Sequence, residues 1–351
     1  MLAPVTHILA LASFRRNRSL PIIGTLLVRS GQKVTATDVI AEAKLEPAHI
    51  VLDVARGLGI SSKNTSKYMK RRVGDDVTKD SIVASREGLV TRSIRSPHDG
   101  RLVANSHGQV LIEIKNKPYQ LMAGIPGEML SVEAELGGIV ETKGAWIQGV
   151  WGNGKINQGK LKVLATEINH VLSPDEIKPN MRGLILLAGH CNQRSILETA
   201  EEASINGLIL GSMAPQLVIP ASKVGYPIIV IEGFGKLAMN SAAYNLISSH
   251  DTRETVINAE IFDRYADKRP EIIIPLDASG EAINPLSMDS FRSGQRVRII
   301  RSPHHGEIGS LITIIAGMTP LPSGLRAQCA QIELESGEKA VIPLANIEVL
   351  G

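Results

Sequence analysis

The sequence predicts a multidomain, mainly β chain with a central α/β domain, and three changes of pattern carry that prediction. From about residue 20 to 162, apolar segments of four to eight residues are bounded by Gly, Pro or Asn, as in compact β structure. Between Val163 and Phe262 continuous apolar runs alternate with amphipathic helical stretches. After residue 290 short strand-like segments with alternating apolar and polar residues return. The implied divisions are 1–162 with a helical insert at 46–72, then 163–262, a connector at 263–289, and 290–351.

Composition narrows the function classes. A chain of 351 residues, 43% apolar and 21% charged, can build several cores. Its 2 Trp, 5 Tyr and 4 Phe leave little material for a base-stacking platform. Cys191 and Cys329 are far apart with no CxxC spacing, and the histidines form no HxH or HExxH pair. No disulfide framework, metal site or other cofactor is therefore expected, and a reducing cytoplasm fits best. The apolar run at 2–14 precedes the cluster Arg15, Arg16, Arg18, the reverse of a secretory signal, and is too short to span a bilayer. It reads as a buried strand or short helix entering the first domain, and no membrane partner is expected.

Charge is unevenly placed. Up to Arg72, twelve Lys and Arg face four acids, giving +8, while the remainder sums to −5. Between Val163 and Phe262 six cations face ten acids. A basic head attracts phosphate polymers or sits against an acidic neighbouring domain.

Taken in order, the first elements form an internal repeat. GQKVTATDVIA at Gly31 to Ala41 and GDDVTKDSIVA at Gly74 to Ala84 align without gaps. Each reads as a tight turn at Gly, a strand at Val-Thr, a polar bend, and a second strand ending in a small buried Ala. With SPHDGRLV downstream, this resembles the barrel-sandwich hybrid of lipoyl- and biotinyl-carrier domains and of RnfC-like proteins, over roughly residues 20 to 162. In those carriers the modified Lys lies in an E-x-x-K-M or D-K-A setting. Lys115 and Lys117 lack such neighbours, so the resemblance implies a scaffold use.

Between the repeats, Ile50, Val51, Val54, Ala55 and Leu58 make one apolar helical stripe that stops before Gly59. Ala55, Gly59, Ile60 and Tyr68 resemble the framework of a helix-turn-helix, with Thr65 where an aliphatic residue is usual. That resemblance implies base contacts from Lys63 and Lys67 and phosphate contacts from Lys70, Arg71 and Arg72. The alternative is a helical connector whose basic end offsets the helix dipole.

In the middle region, strands are expected at Gly183 to Gly189, Gly207 to Ser212 and Tyr226 to Gly235, with a helix at Ser195 to Ser204 and another after Ala238. This describes a small parallel α/β sandwich, whose ligands lie beyond the strands' carboxyl ends. Those ends offer His190, Cys191, Asn192, Ser212, Glu232, Gly233 and Gly235 as ligand loops. The region resembles DRTGG-type regulatory domains over about fifty residues, without the eponymous motif. His190, Cys191 and Glu232 can be written as base, nucleophile and orienter, although a Cys beside a strand end is also a buried apolar group.

The final segment has Gly294, Val297, Ile299, Gly306, Gly309, Ile332, Leu334, Gly337 and Pro343 at the spacing of a KOW-containing SH3-like barrel, which it resembles. The resemblance implies docking to RNA or to proteins of transcription and translation. Alternation at Val297 and Ile299 predicts Arg296, Arg298 and Arg301 pointing outward beside His304 and His305. Both tryptophans, Trp146 and Trp151, fall in one stretch expected to form a domain junction or partner surface. The expectation is a non-catalytic adaptor with a protein partner and RNA or DNA as a further one. The rival is a small-molecule sensor or enzyme using the middle loops.

Overall fold

The computed structural model describes residues 2–88, 91–263, 268–276 and 288–351, so most of the connector expected at 263–289 lies outside the described residues. The chain is mainly β, with several sheets and few helices. One eleven-stranded sheet runs through its centre. The strand Gly137–Gln148 joins its two halves. One edge pairs with Ile8–Ser19; the other pairs first with Gly127–Glu133 and then with Glu271–Pro275. A first β core and the α/β region therefore share a backbone ladder and are not beads on a linker.

The α/β half matches its expected elements closely. Parallel strands Ile156–Val163, Ile185–Cys191, Gly207–Met213 and Ile228–Phe234 lie in sequential order. Such strands carry apolar residues on both faces because both are covered. The helices Arg194–Glu202 and Val218–Lys223 cover one face, packing on Leu186, Leu208 and Ile228. The helix Ser241–Ser248 covers the other, over Ile185, Ile209 and Ile229. Val218–Lys223 carries no clear apolar stripe and is absent from the expected elements. The half extends beyond 163–262, taking in Trp151–Gly152, Ile156–Val163 and Glu271–Pro275.

The repeat is genuine but lies in two separate β units, one nested in the other. The outer unit has its own core around Phe14, Ile40, Leu121, Met129 and Val140; the inner one, over 44–118, packs around Val54, Leu58, Val83, Leu102 and Ile112. The hydrogen bonds that close their turns correspond. The amide of Gly31 donates to Met129 O and that of Met129 to Gln32 O; Gly74 donates to Leu102 O and Leu102 to Asp75 O. Val34 pairs with Gly127, and Val77 pairs with Gly100. Each second glycine is dictated by a neighbouring carbonyl: a Cβ would lie 1.9 Å from Glu141 O at Gly127 and 2.3 Å from Glu113 O at Gly100. The inner unit sits where the outer unit's hairpin would turn, between Ala43 and Tyr119, which are register partners. Residues 1–162 are thus not one domain with a helical insert, because 44–118 closes its own apolar core.

Within that insert the helix-turn-helix does not form. The segment 49–53 is a strand, the helix Val54–Leu58 spans five residues, and Gly59 ends it in a left-handed conformation at φ +63°. The next element, Ser62–Tyr68, is a 3₁₀ turn whose Thr65 faces inward, its hydroxyl donating to Ser62 O. No recognition helix is available to a groove.

The last unit is a sheet with the strands Arg296–Ile299, Ile308–Ile314, Cys329–Leu334, Lys339–Pro343 and Ile347–Leu350. It is completed from the far end of the chain: Leu2–Thr6 pairs in parallel with Ile347–Leu350. The apolar start is therefore strand, one of the two forms expected, but its first half belongs to the last unit and not to the first domain. The segments IRSPHDG at 94–100 and IRSPHHG at 300–306, whose shared sequence suggests one strand-turn solution used twice, adopt different backbones: Gly306 has φ +86°, whereas Gly100 opens the strand Gly100–Ser106.

Candidate functional site

The expected strand-end site is occupied by the protein itself. Arg298 is 3% exposed and lies between the α/β half and the last unit. Its Nη1 donates to Glu232 Oε2 at 2.6 Å and its Nε to Glu348 Oε1 at 2.5 Å. Burial opposes the charged guanidinium, but Glu348 and Glu232 outweigh it, so its pKa is raised. Alternation failed here because the strand is covered on both faces: Val297 and Ile299 face the unit's own core, and Arg298 faces the α/β half. Glu232 also accepts from the amide and Nδ2 of Asn240, which caps the helix Ser241–Ser248.

The neighbouring groups do not converge on a reacting centre. His190 Nδ1 bonds Ser212 Oγ at 2.9 Å, and Ser212 in turn donates to Leu237 O. Burial and then Lys236 lower the His190 pKa, which favours the neutral ring. Cys191 is fully buried beside Gln193 O, and burial pushes its thiol up to about 11. A thiol so protonated, with neither His190 nor Glu232 as a hydrogen-bond partner, is not an activated nucleophile. Asn192 is exposed, while Gly233, near the end of the strand Ile228–Phe234, and Gly235, just past it, both have positive φ. The cavity remaining here, about 350 Å³, lies against Ile168, Asn240 and Ser241 and is faced by Glu307 and Glu335, which disfavour an anion.

The other arginine-strip residues are divided. Arg296 donates to Ser241 Oγ and to Glu335 at 2.6 Å, and His304 contacts Glu307 at 3.2 Å. Arg301 and His305 are exposed. The tryptophans also separate. Trp146 is buried between His7 and Phe14, both 4.6 Å away by ring centroid, and its indole N–H donates to Glu271 Oε2. Trp151 is half-buried on an edge strand, edge-on to Phe234.

The cations of the inner β unit behave differently. Over 44–118, fourteen Lys and Arg face eight acids, so this segment carries +6 and all other residues together −3. Arg15, Arg16 and Arg18, part of the expected basic head, lie outside it and are paired with Glu141, Glu271 and Glu260. In the inner unit three of the five aspartates are committed to backbone amides: Asp53 accepts from Arg56 N, Asp75 from Arg72 N and Asp99 from Lys79 N. Lys63, Lys67, Lys70, Arg71 and Arg72 are all exposed, and among the described residues none has an ion pair. Arg86 donates to Leu58 O and Gly59 O, and the Arg92 guanidinium lies against Gly59. These two, and not Lys70 to Arg72, meet the carbonyl end of the short helix. Arg86, Arg92 and the other cations beyond residue 72 escaped the sequence reading because their proximity is created by the nested fold.

No family model and no curated protein matches the chain. Among the described residues no helix is long and apolar enough to cross a membrane.

Proposed function

We propose that the chain is a non-catalytic adaptor that engages a nucleic acid or nucleoprotein partner through the inner β unit, with the remaining units as its mount. The observation that carries this reading is the run Lys63, Lys67, Lys70, Arg71 and Arg72: exposed, unpaired with acids, and set in a segment of net charge +6. Cations left to solvent can replace counterions on a phosphate polymer, and such binding needs no aromatic platform. The resemblance of roughly residues 20 to 162 to a barrel-sandwich hybrid fits a scaffold that displays this face. The last unit, resembling a KOW-type SH3-like barrel, would add a protein contact through Ile314, Met318 and Leu325, all exposed apolar groups on it.

Fluorescence anisotropy with a mixed-sequence single-stranded RNA and a duplex DNA tests the proposal. Binding to at least one is expected at about 50 mM salt, weakening with slope near −0.9 per phosphate contact for duplex and −0.7 for single strand. Changing Lys63, Lys67, Lys70, Arg71 and Arg72 together to Gln should abolish it. No binding of either probe at that salt, or binding unchanged in the variant, would refute the proposal.

A further inference from the structure

An edge strand presents unpaired N–H and C=O groups to any extended chain, and charged side chains or Pro on it keep such chains away. Two long edges of this protein are guarded in that way. Lys339–Pro343, at one end of the last unit's sheet, carries Lys339 and Pro343, and Ile8–Ser19, paired on one side with Gly137–Gln148, carries Arg15, Arg16 and Arg18. His49–Asp53 ends the inner unit's four-stranded sheet without Lys, Arg or Pro, and Val51 at its centre is 58% exposed.

The register leaves this edge open. Ile114 N donates to Ala48 O, so the residues that exchange hydrogen bonds across the ladder are Ile50 with Ile112 and Leu52 with Val110. The backbone groups of His49 and Val51 and the N–H of Asp53 therefore point away from Gln109–Ile114, and among the described residues none has another backbone partner. The Asp53 carbonyl is turned into the helix Val54–Leu58, which Asp53 caps. Side chains alternate likewise: Ile50 and Leu52 turn inward, while His49, Val51 and Asp53 are exposed on the outer face, where half-buried Leu111 lies opposite Val51.

We infer that this edge pairs with the same edge of a second copy of the chain, antiparallel about a twofold axis at Val51. The order of residues selects a second copy as the occupant: such pairing sets Val51 against Val51, Ile50 against Leu52, and His49 against Asp53 at both ends. The two Val51 residues exchange both backbone bonds, and each His49 carbonyl accepts from the partner's Asp53 N–H. Each His49 ring faces a carboxylate, so no like charges oppose one another in the seam. The row Ala104, Leu111, Val51 continues into its symmetry mate, joining two four-stranded sheets into one of eight. The segments of net charge +6 repel, so the dimer tightens as salt rises, whereas binding to a phosphate polymer weakens. The dimer needs no nucleic acid and stands apart from that reading.

The test is sedimentation velocity of the full chain, without nucleic acid, from about 5 to 200 µM at ~0.05 M and ~0.5 M salt, the higher value shrinking the Debye length to roughly 4 Å. A dimer should form as concentration rises, and at lower concentration in the higher salt. Val51→Lys, at an exposed position, sets two ammonium groups against each other across the axis and should weaken the dimer at least about tenfold with the melting temperature unchanged. Val51→Pro removes an N–H that the seam uses and the inner sheet does not, so it should weaken the dimer as well and serves as the second variant if Val51→Lys alters the fold. A chain monomeric at about 200 µM in both salts would overturn the inference and leave the edge to an extended segment of another protein. A dimer that neither variant weakens would overturn it too.

Discussion

At the scale of single residues, the decisive group is Arg298. Its guanidinium compensates two buried carboxylates on different units, so truncating it strands Glu232 and Glu348 in a low-dielectric junction. Arg298→Met should cost about 3–5 kcal/mol by urea denaturation. Adding Glu232→Gln and Glu348→Gln should recover much of that loss, since the penalty lies in the uncompensated charge. A smaller titration effect belongs to His190. Its folded pKa lies below the ordinary 6.5, so the unfolded chain takes up the proton first as pH falls. The sign is therefore destabilisation on acidification: no penalty well above pH 6.5, and a growing one below it. The drop in melting temperature between about pH 7.5 and 5.5 should be smaller in His190→Gln, which can still bond Ser212 but cannot ionise there.

At the scale of elements, strand existence was legible and strand ownership was not. The alternation at Val297 and Ile299, the continuous runs of the parallel strands and the Gly-Val-Thr repeat are local patterns, and each produced the expected element. The stripe from Ile50 to Leu58 misled, because its spacing also fits a strand followed by a short helix: the strand turns Ile50 and Leu52 inward and leaves Val51 exposed, and the helix buries Val54 and Leu58. The inner unit makes a sharper prediction. Ala43 and Tyr119 are paired across an antiparallel ladder, so residues 44–118 can be replaced by an Asn-Gly turn without moving either strand. The shortened protein should unfold cooperatively with its outer core intact. Loss of folding on excision would show that the two β cores depend on one another.

At the scale of the whole molecule, excision also relocates charge: the shortened chain carries −3 and should lose nucleic-acid binding, whereas the separate 44–118 segment keeps +6. The wider junction has the same logic. Glu348 accepts from Thr6, Thr6 from Arg269, and Trp146 donates to Glu271, so the first strand, the central sheet and the last unit are fastened through buried polar groups far apart in chain. Sequence by itself determined the mainly β class, the α/β region and its strand order of appearance, the repeat, and which segments are rich in cations. Those are properties of composition and short periodicity, which a linear reading senses directly. Only tertiary structure decided that the repeat is two nested cores, that the first strand completes the last unit, and that Arg298 faces a neighbour and not solvent. It also decided which arginines are neutralised. Each of these depends on which faces meet across long sequence separations, and burial of a face is set by its partner.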